Sequence, residues 1–484
     1  MHTIFWTGLP NKSYLPQRYI GPYQLGHWLE QKGYTYQVID FIMQGEYAHI
    51  TSDRLVELTE KFITADTLTI GFSSTFFIAG NIPLFILNAM QEIRQRHPGI
   101  KFVLGGNMAE NIQPVYTELF DAVIIGLGED VMLELMDWYS GKGKEPRRRI
   151  IPTTRAKYYY GDDAEKQFDI QSNTHRWADK DCILPAEVLP IEISRGCIFR
   201  CRFCQYPLLG RDKHDYTRNM EHIRNELVDN YGRFGATNYY LLDDTFNDTV
   251  TKVEAFADMT ATLPFKMQWV GYVRADLLHR FPETIGMIKE SGIKGAFFGI
   301  ETFGREAALA VGKGWSATHA QEFLPKLIHE HWDDQVATHI SMIAGLPGDT
   351  VESLNQSIDW FHANNIHSWD FKPLWILQHQ NQKIFSSVFS REAPVYGYTW
   401  PNSQEPAVWH NTKTGWSYKL AEQVAAQLNS RKTPQHRNDV WTDMSLGTIG
   451  IDAHLQPKEQ VKKVVPGQSI IRWYNDYFSR LQEL

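Results

Sequence analysis

Three cysteines carry the clearest capacity for chemistry in this chain. Cys197, Cys201 and Cys204 stand in RGCIFRCRFCQYP, residues 195–207, at a Cys-x3-Cys-x2-Cys spacing. The chain has only 4 cysteines in 484 residues, and the fourth, Cys182, lies upstream. A secreted disulfide framework would spread paired cysteines through a small domain, so this clustering reads as metal binding in a reducing compartment. Thiolates are natural ligands of iron–sulfur clusters. A four-iron cube held by three cysteines leaves one iron without a protein ligand, and an open coordination position marks a metal site that does chemistry. Zinc is the competing metal. It takes four closed ligands, for which Cys182 or a histidine would be recruited.

The elements around the cysteines explain where they sit. TIFWTG, YTYQVID, LTIGFSS, IKFVLGG and DAVIIG read as five buried strands, separated by helical patterns such as GPYQLGHWLEQKG and NIPLFILNAMQEIRQRHPG. The second of these is expected to keep Leu84, Leu87 and Met90 near one face, with Arg94 and Arg96 near its C-terminal end. The alternation predicts an α/β chain with an N-terminal doubly wound, Rossmann-like parallel sheet over residues 1–140. Residues 141–186, with the basic run Arg147–Arg149, are polar and poorly periodic and predict a surface linker. Alternation resumes with LPIEIS, NYYLLDD, MQWVGYV, GAFFGIE, VATHISMIAG and SWDFKPLWI. These are six β–α units over residues 187–378, fewer than the eight of a closed barrel. Residues 379–484 form a smaller, α-rich C-terminal region whose last aromatics, including Trp473 and Tyr477, predict a helix docked on the barrel. The cysteine motif follows directly on LPIEIS, at the C-terminal end of a strand, where ligands and catalytic loops gather in parallel α/β sheets.

The motif, with aromatic Phe203 just before its last cysteine, resembles that of the radical S-adenosylmethionine (SAM) superfamily. The resemblance covers about residues 187–375. It implies a [4Fe–4S] cluster on Cys197, Cys201 and Cys204, and SAM chelated to the free iron and split reductively into methionine and a 5′-deoxyadenosyl radical. It also implies an electron donor such as flavodoxin or ferredoxin. Other segments resemble the family in order. Asp243 and Asp244 in NYYLLDDTF occupy the place of groups that bind the SAM amino group. The alternative for this pair is a loop or helix N-cap. Arg274 in WVGYVRADLL and Glu301 in GAFFGIETF resemble contacts to the SAM carboxylate or ribose; the alternative is a mutual salt bridge. Gly345, Pro347 and Gly348 in SMIAGLPGDT make a tight turn where backbone could lie against the adenine. A plain turn with Asp349 or Thr350 capping the next helix explains the same residues.

The N-terminal domain resembles the cobalamin-binding domain of the B12-dependent branch. The resemblance rests on GFSSTFF (71–77), VLGGNMAEN (103–111) and VIIGLGED (123–130). It implies that Ser73 and Ser74 bond the corrin amides or the nucleotide tail. Gly105, Gly106 and Asn107 would form one strand-end loop against the corrin, and Gly126, Gly128 and Glu129 the next. Without the resemblance, these glycines read as sharp strand-to-helix turns. No Asp-x-His-x-x-Gly is present in this domain, which implies cobalt with water or no lower ligand, or no cobalamin at all.

Other features bound the function. The formal net charge is −8, which argues against a broad nucleic-acid surface. The N-terminus shows no signal peptide, and no apolar run reaches the ~20 residues needed to span a bilayer, so a cytoplasmic protein is expected. His329 and His331, with Asp333 and Asp334, read as a solvated helix end, with a metal site as the sharper alternative. The expected activity is a B12-dependent radical SAM reaction, with methylation of an unactivated carbon as the modal outcome and a small molecule or peptide as substrate. The alternatives are a radical SAM enzyme without a corrin, which would run a cyclisation or rearrangement, and a cluster-bearing redox sensor. Methylthio transfer would need three further N-terminal cysteines, and none precedes Cys182.

Overall fold

In the computed structural model, short strands buried on both faces make the first sheet. TIFWT at Thr3–Thr7 (β1) and YQVID at Tyr36–Asp40 (β2) are buried at all five positions, as expected where helices cover both sides of a parallel sheet. With β3 (Thr69–Ser73), β4 (Lys101–Gly105), β5 (Ala122–Ile125) and β6 (Ile150–Pro152) they form a six-stranded sheet ordered β2-β1-β3-β4-β5-β6. All pairs are parallel. The order reverses between β1 and β3, the switch point at which such sheets bind ligands beyond their carboxyl ends. The structure describes residues 1–7, 17–40, 51–74, 82–106, 109, 118–153, 168–204, 216–378, 387–402, 405, 407–464 and 467–484.

By its internal contacts the chain forms two units: Met1–Pro190 with Leu209–Ala236 and Pro466–Leu484, and Ile191–Leu208 with Thr237–Val465. Three features of the first unit correct the sequence-based picture. In the helix Leu84–Arg96 the buried stripe is Ile86, Ala89, Met90 and Ile93, while Leu84 is 70% exposed; the neighbours, not the apolar spacing alone, choose the face. The described parts of residues 141–186, 141–153 and 168–186, belong to this unit and are not simply a surface linker. Ile150–Pro152 adds a sixth strand beside β5, and Ile170 and Trp177 are fully buried. Arg18, itself buried, bonds the carbonyls of Asp181 and Cys182 and pairs with Glu187. The last helix, Gly467–Glu483, packs within this unit rather than on the barrel: Arg18 lies 5.3 Å from the Tyr477 ring, and Arg480 bonds the Ile183 carbonyl.

The second sheet runs in chain order, β7 (Leu189–Ile191), β8 (Asn238–Leu241), β9 (Gln268–Tyr272), β10 (Ile293–Glu301), β11 (Ala337–Ala344) and β12 (Trp369–Pro373). Its registered pairs are parallel, giving the open six-stranded barrel expected. The helix Val250–Ala261 covers one face, where Phe256 meets Trp269 and Phe246. On the opposite face lies a helix that the sequence did not mark, Val440–Thr448. Its Trp441 stacks on Tyr240 at 5.4 Å and meets Tyr272 at 5.2 Å. Gly295 admits it: a Cβ there would sit 2.7 Å from Val440. Among the described residues no helix is long and apolar enough to cross a membrane.

Candidate active site: a cysteine loop at the strand ends of the second sheet

The loop that bears the cysteines begins where β7 ends, and a buried network fixes its first residues. Asp243, just past β8, is 0% exposed. Its Oδ1 accepts from the backbone N–H groups of Ile193 and Ser194 at 2.9 and 3.0 Å, and its Oδ2 accepts from Ser194 Oγ at 2.5 Å. Lys252 closes the network from the first turn of its helix. Its Nζ lies 3.3 Å from Asp243, 2.7 Å from Asp248 and 3.0 Å from the Thr245 carbonyl. Burial raises the Asp243 carboxyl above its ordinary value, opposed by Lys252 and the Ser194 bonds. A buried charge needs such partners, since desolvation of an unpaired carboxylate is prohibitive.

The network corrects one expectation. Both oxygens of Asp243 are engaged inside the protein, so this residue positions the cysteine loop instead of meeting a ligand. Asp244, its exposed neighbour, points the other way, as successive residues at a strand end do. Lys252 and Asp248 carry no motif, yet a lysine four residues after an aspartate at a helix start is a visible signal for an internal pair.

The three thiols have different surroundings. Cys197 is 8% exposed, and its Sγ lies 3.5 Å from Thr245 Oγ1. Burial raises its thiol above the ordinary value. Cys201 and Cys204 are half-buried, and the Cys204 N–H bonds the Cys201 carbonyl at 3.0 Å. Arg274 donates from Nη1 to Cys201 Sγ at 3.4 Å. Its other nitrogens clamp Asp276 at 3.0 and 2.6 Å, and its guanidinium lies 4.0 Å from the Phe199 ring. Arg274 thus sets a fixed cation beside the Cys201 sulfur. Arg202 anchors the loop by donating to the carbonyls of Leu309 and Ala310. Phe203 is half-buried between the last two cysteines. Cys182 is a structural residue: it is 2% exposed, and burial pushes its thiol up to about 11. Among the described residues no three His, Cys, Asp or Glu side chains group as ligands of a single metal ion.

Arg274 and Glu301 do not pair with each other. Glu301 instead meets Lys313 at 2.8 Å, and Lys313 also bonds the Gly299 carbonyl. Glu301 adopts φ +70, in the left-handed region, where the register between β10 and β11 shifts. A non-glycine residue there is strained, and such strain concentrates at functional sites. Gly299 lies close beneath it: a Cβ there would fall 2.4 Å from the Glu301 carboxylate, which would have to shift.

The turn after β11 serves packing. Gly345 is buried at φ +97, and a Cβ would lie 2.8 Å from Trp409. Its carbonyl accepts from Tyr398 Oη at 3.0 Å. Asp349 Oδ2 takes the N–H groups of Gly345 and Leu346, and Thr350 caps the next helix. Gly345 therefore faces the C-terminal segment rather than an open adenine site; Pro347 remains half-exposed.

In the first unit the residues singled out gather at the carboxyl ends of β3, β4 and β5. Ser73 pairs with Gly105 across the strands. Ser74 is fully buried and bonds the Gly105 carbonyl through both its N–H and its Oγ. Its hydroxyl thus ties two strands together. Gly106 and Gly126 take φ +103 and +109, turns that glycine permits. Gly128 precedes the helix Glu129–Tyr139, and Glu129 is 5% exposed. Gly105 has open space where a side chain would be. Asn107 and the segments 75–77 and 107–108 lie outside the described residues.

The sequence model of the Radical SAM superfamily matches residues 191–361. No curated protein matches the chain. Among solved structures, the chain resembles the radical S-adenosylmethionine methyltransferase TsrM from Kitasatospora setae, solved with a tryptophan substrate and a SAM analogue. The TM-score is 0.62 at 15% identity, over 83% of this chain and 78% of that one. It also resembles the cobalamin-dependent S-adenosylmethionine radical enzyme OxsB, solved with aqua-cobalamin and SAM. There the TM-score is 0.64 at 12% identity, over 99% of this chain and 71% of that one. A radical SAM domain implies a [4Fe–4S] cluster and SAM, and the three-thiol loop beside Arg274 is a donor set that fits such a cluster. Residues 191–361 thus match the Radical SAM superfamily, within a fold shared with the radical SAM methyltransferase TsrM and the cobalamin-dependent radical SAM enzyme OxsB.

Proposed function

We propose that this chain is a cobalamin-dependent radical SAM enzyme that methylates an unactivated carbon. The observation that carries the reading is the pairing of one cysteine loop, on the second parallel sheet, with a first parallel sheet whose strand-end glycines leave backbone open at Gly105. The likeness to TsrM and OxsB supports it. When bound, the cluster supplies an electron to SAM, and cobalamin a methyl carrier.

The chain's own residues prepare these steps. Cys197, Cys201 and Cys204 would hold the cluster. Asp243 and Lys252 hold the start of their loop, and Arg274 sets a positive charge against Cys201. Asp244, exposed just past β8, would accept from the SAM ammonium. Glu301, held by Lys313, accepts from ribose hydroxyls. Ser73 and the glycines at 105, 106, 126 and 128 would line the corrin. Half-exposed Cys201 and Cys204 face an electron donor such as flavodoxin or ferredoxin.

The test is anaerobic purification with cobalamin supplied, followed by cobalt analysis and turnover with methyl-labelled SAM over candidate substrates. Stoichiometric cobalt and labelled product are expected. Iron and SAM cleavage without cobalt would remove the corrin and leave a radical enzyme of cyclase or rearrangement type.

A further inference from the structure

At the amino ends of β11 and β12, on the other end of the strands from the cysteine loop's side, lies a cavity of about 250 Å³. Its polar wall comes from separate segments: Thr338 at the start of β11, Asn365 and His367 before β12, His329 and Asp334 after the helix Ala317–Pro325, and Arg437. Two of these are already committed. His329 Nδ1 lies 2.7 Å from Asp334 Oδ1, and its Nε2 lies 3.0 Å from the Asn364 carbonyl. Both ring nitrogens are thus spent on partners within the protein, Asp334 and the Asn364 carbonyl.

The other four are not committed. Among the described residues the side chains of Arg437, His367, Asn365 and Thr338 have no hydrogen bond or ion pair. The backbone bond from the Arg437 N–H to the His367 carbonyl, at 2.6 Å, sets the arginine and the histidine on one wall. Burial lowers both from their ordinary values, and Arg437 and His329 further disfavour a charge on His367. Asp443, the other carboxyl that acts on Arg437, is held by Asn438 Nδ2 at 2.9 Å. The surroundings are strained as well: Asp334 and Asn365 take φ 55 and 54, and Lys326–His331 is a π-helical turn, a feature frequent at functional sites.

Four uncommitted hydrogen-bonding groups from three segments suit a tetrahedral oxyanion better than a planar one, and a guanidinium is the natural phosphate fork. The cavity also has room beyond one phosphate for an attached organic group. We propose that it binds the phosphate of a small phosphorylated molecule, gripped by Arg437 with His367, Thr338 and Asn365. The site is independent of the radical chemistry.

Isothermal titration of the full chain with inorganic phosphate tests this. One site per chain is expected, weakened about 10-fold or more in Arg437→Gln and to a smaller degree in Thr338→Val, with acetate binding about 10-fold weaker than phosphate. Thr338→Val preserves side-chain shape on a strand, so it decides the matter if Arg437→Gln fails to fold by circular dichroism. Absence of phosphate binding, binding unchanged in the folded variants, or acetate binding as tightly as phosphate would overturn the proposal.

Discussion

Lys252 Nζ stands 3.3 Å from Asp243 Oδ2 with both side chains sealed from solvent, at 2% and 0% exposure. This pair holds the first residues of the cysteine loop through Ser194. Replacing the lysine leaves Asp243 and Asp248 buried without their cation. Lys252→Met is therefore expected to lower unfolding free energy by on the order of 3–5 kcal/mol. Denaturant titration checks it, and a loss below about 1 kcal/mol would mean that the network does not stabilise the loop.

The two adjacent aspartates are expected to separate by phenotype. Asp244→Ala should weaken SAM binding by about 10–100-fold, the loss of one charge-assisted hydrogen bond, with the melting temperature nearly unchanged. Asp243→Ala should destabilise the protein outright. Equilibrium binding of SAM and thermal unfolding, measured on both, distinguish them. Intact SAM affinity in Asp244→Ala would remove that residue from the site.

Arg274→Gln should keep the fold while reducing iron retained after reconstitution and slowing SAM cleavage by about 10-fold or more, because the cation beside Cys201 is lost. Arg274→Lys should recover only part, since an ammonium cannot clamp Asp276 and reach the sulfur together. Full activity in Arg274→Gln would contradict the role.

Asp349 carries a pH dependence. Burial pushes its carboxyl up to about 7, against the bonds from Leu346 and Gly345. The folded state thus holds a proton that the unfolded chain releases near pH 4. The stabilisation is complete below the unfolded value and fades as pH rises through the folded one. Asp349→Asn keeps an acceptor oxygen and cannot ionise. Its stability relative to the parent chain should rise between pH 5 and pH 8, by on the order of 1–4 kcal/mol. A difference constant with pH would show that Asp349 is already ionised at pH 5.

What the sequence could tell divides along physical lines. Strands buried on both faces, such as TIFWT and the SMIA of β11, announce themselves, because apolar and β-branched residues predominate there. The cysteine spacing is local chemistry and reads directly. Partners distant in sequence are harder to read. Nothing in SMIAGLPGDT says that Gly345 makes room for Trp409, so a packing glycine resembles a ligand-binding one. Asp243 and Asp244 are chemically identical until strand alternation turns one inward to Lys252. Ile150–Pro152 follows three arginines and looks like linker, yet an edge strand needs only three residues against β5. The helix Val440–Thr448 owes its place to Gly295, Tyr240 and Tyr272, and to no pattern of its own.

The most direct measurement of the central claim is iron and sulfide content, together with 5′-deoxyadenosine formation from SAM under strong reductant, in the anaerobically reconstituted chain and in Cys201→Ala. About four irons per chain and reductant-dependent 5′-deoxyadenosine are predicted for the parent, with cleavage abolished in the folded variant. A parent chain that holds no cluster, or a Cys201→Ala variant that cleaves SAM as fast as the parent, would contradict the account.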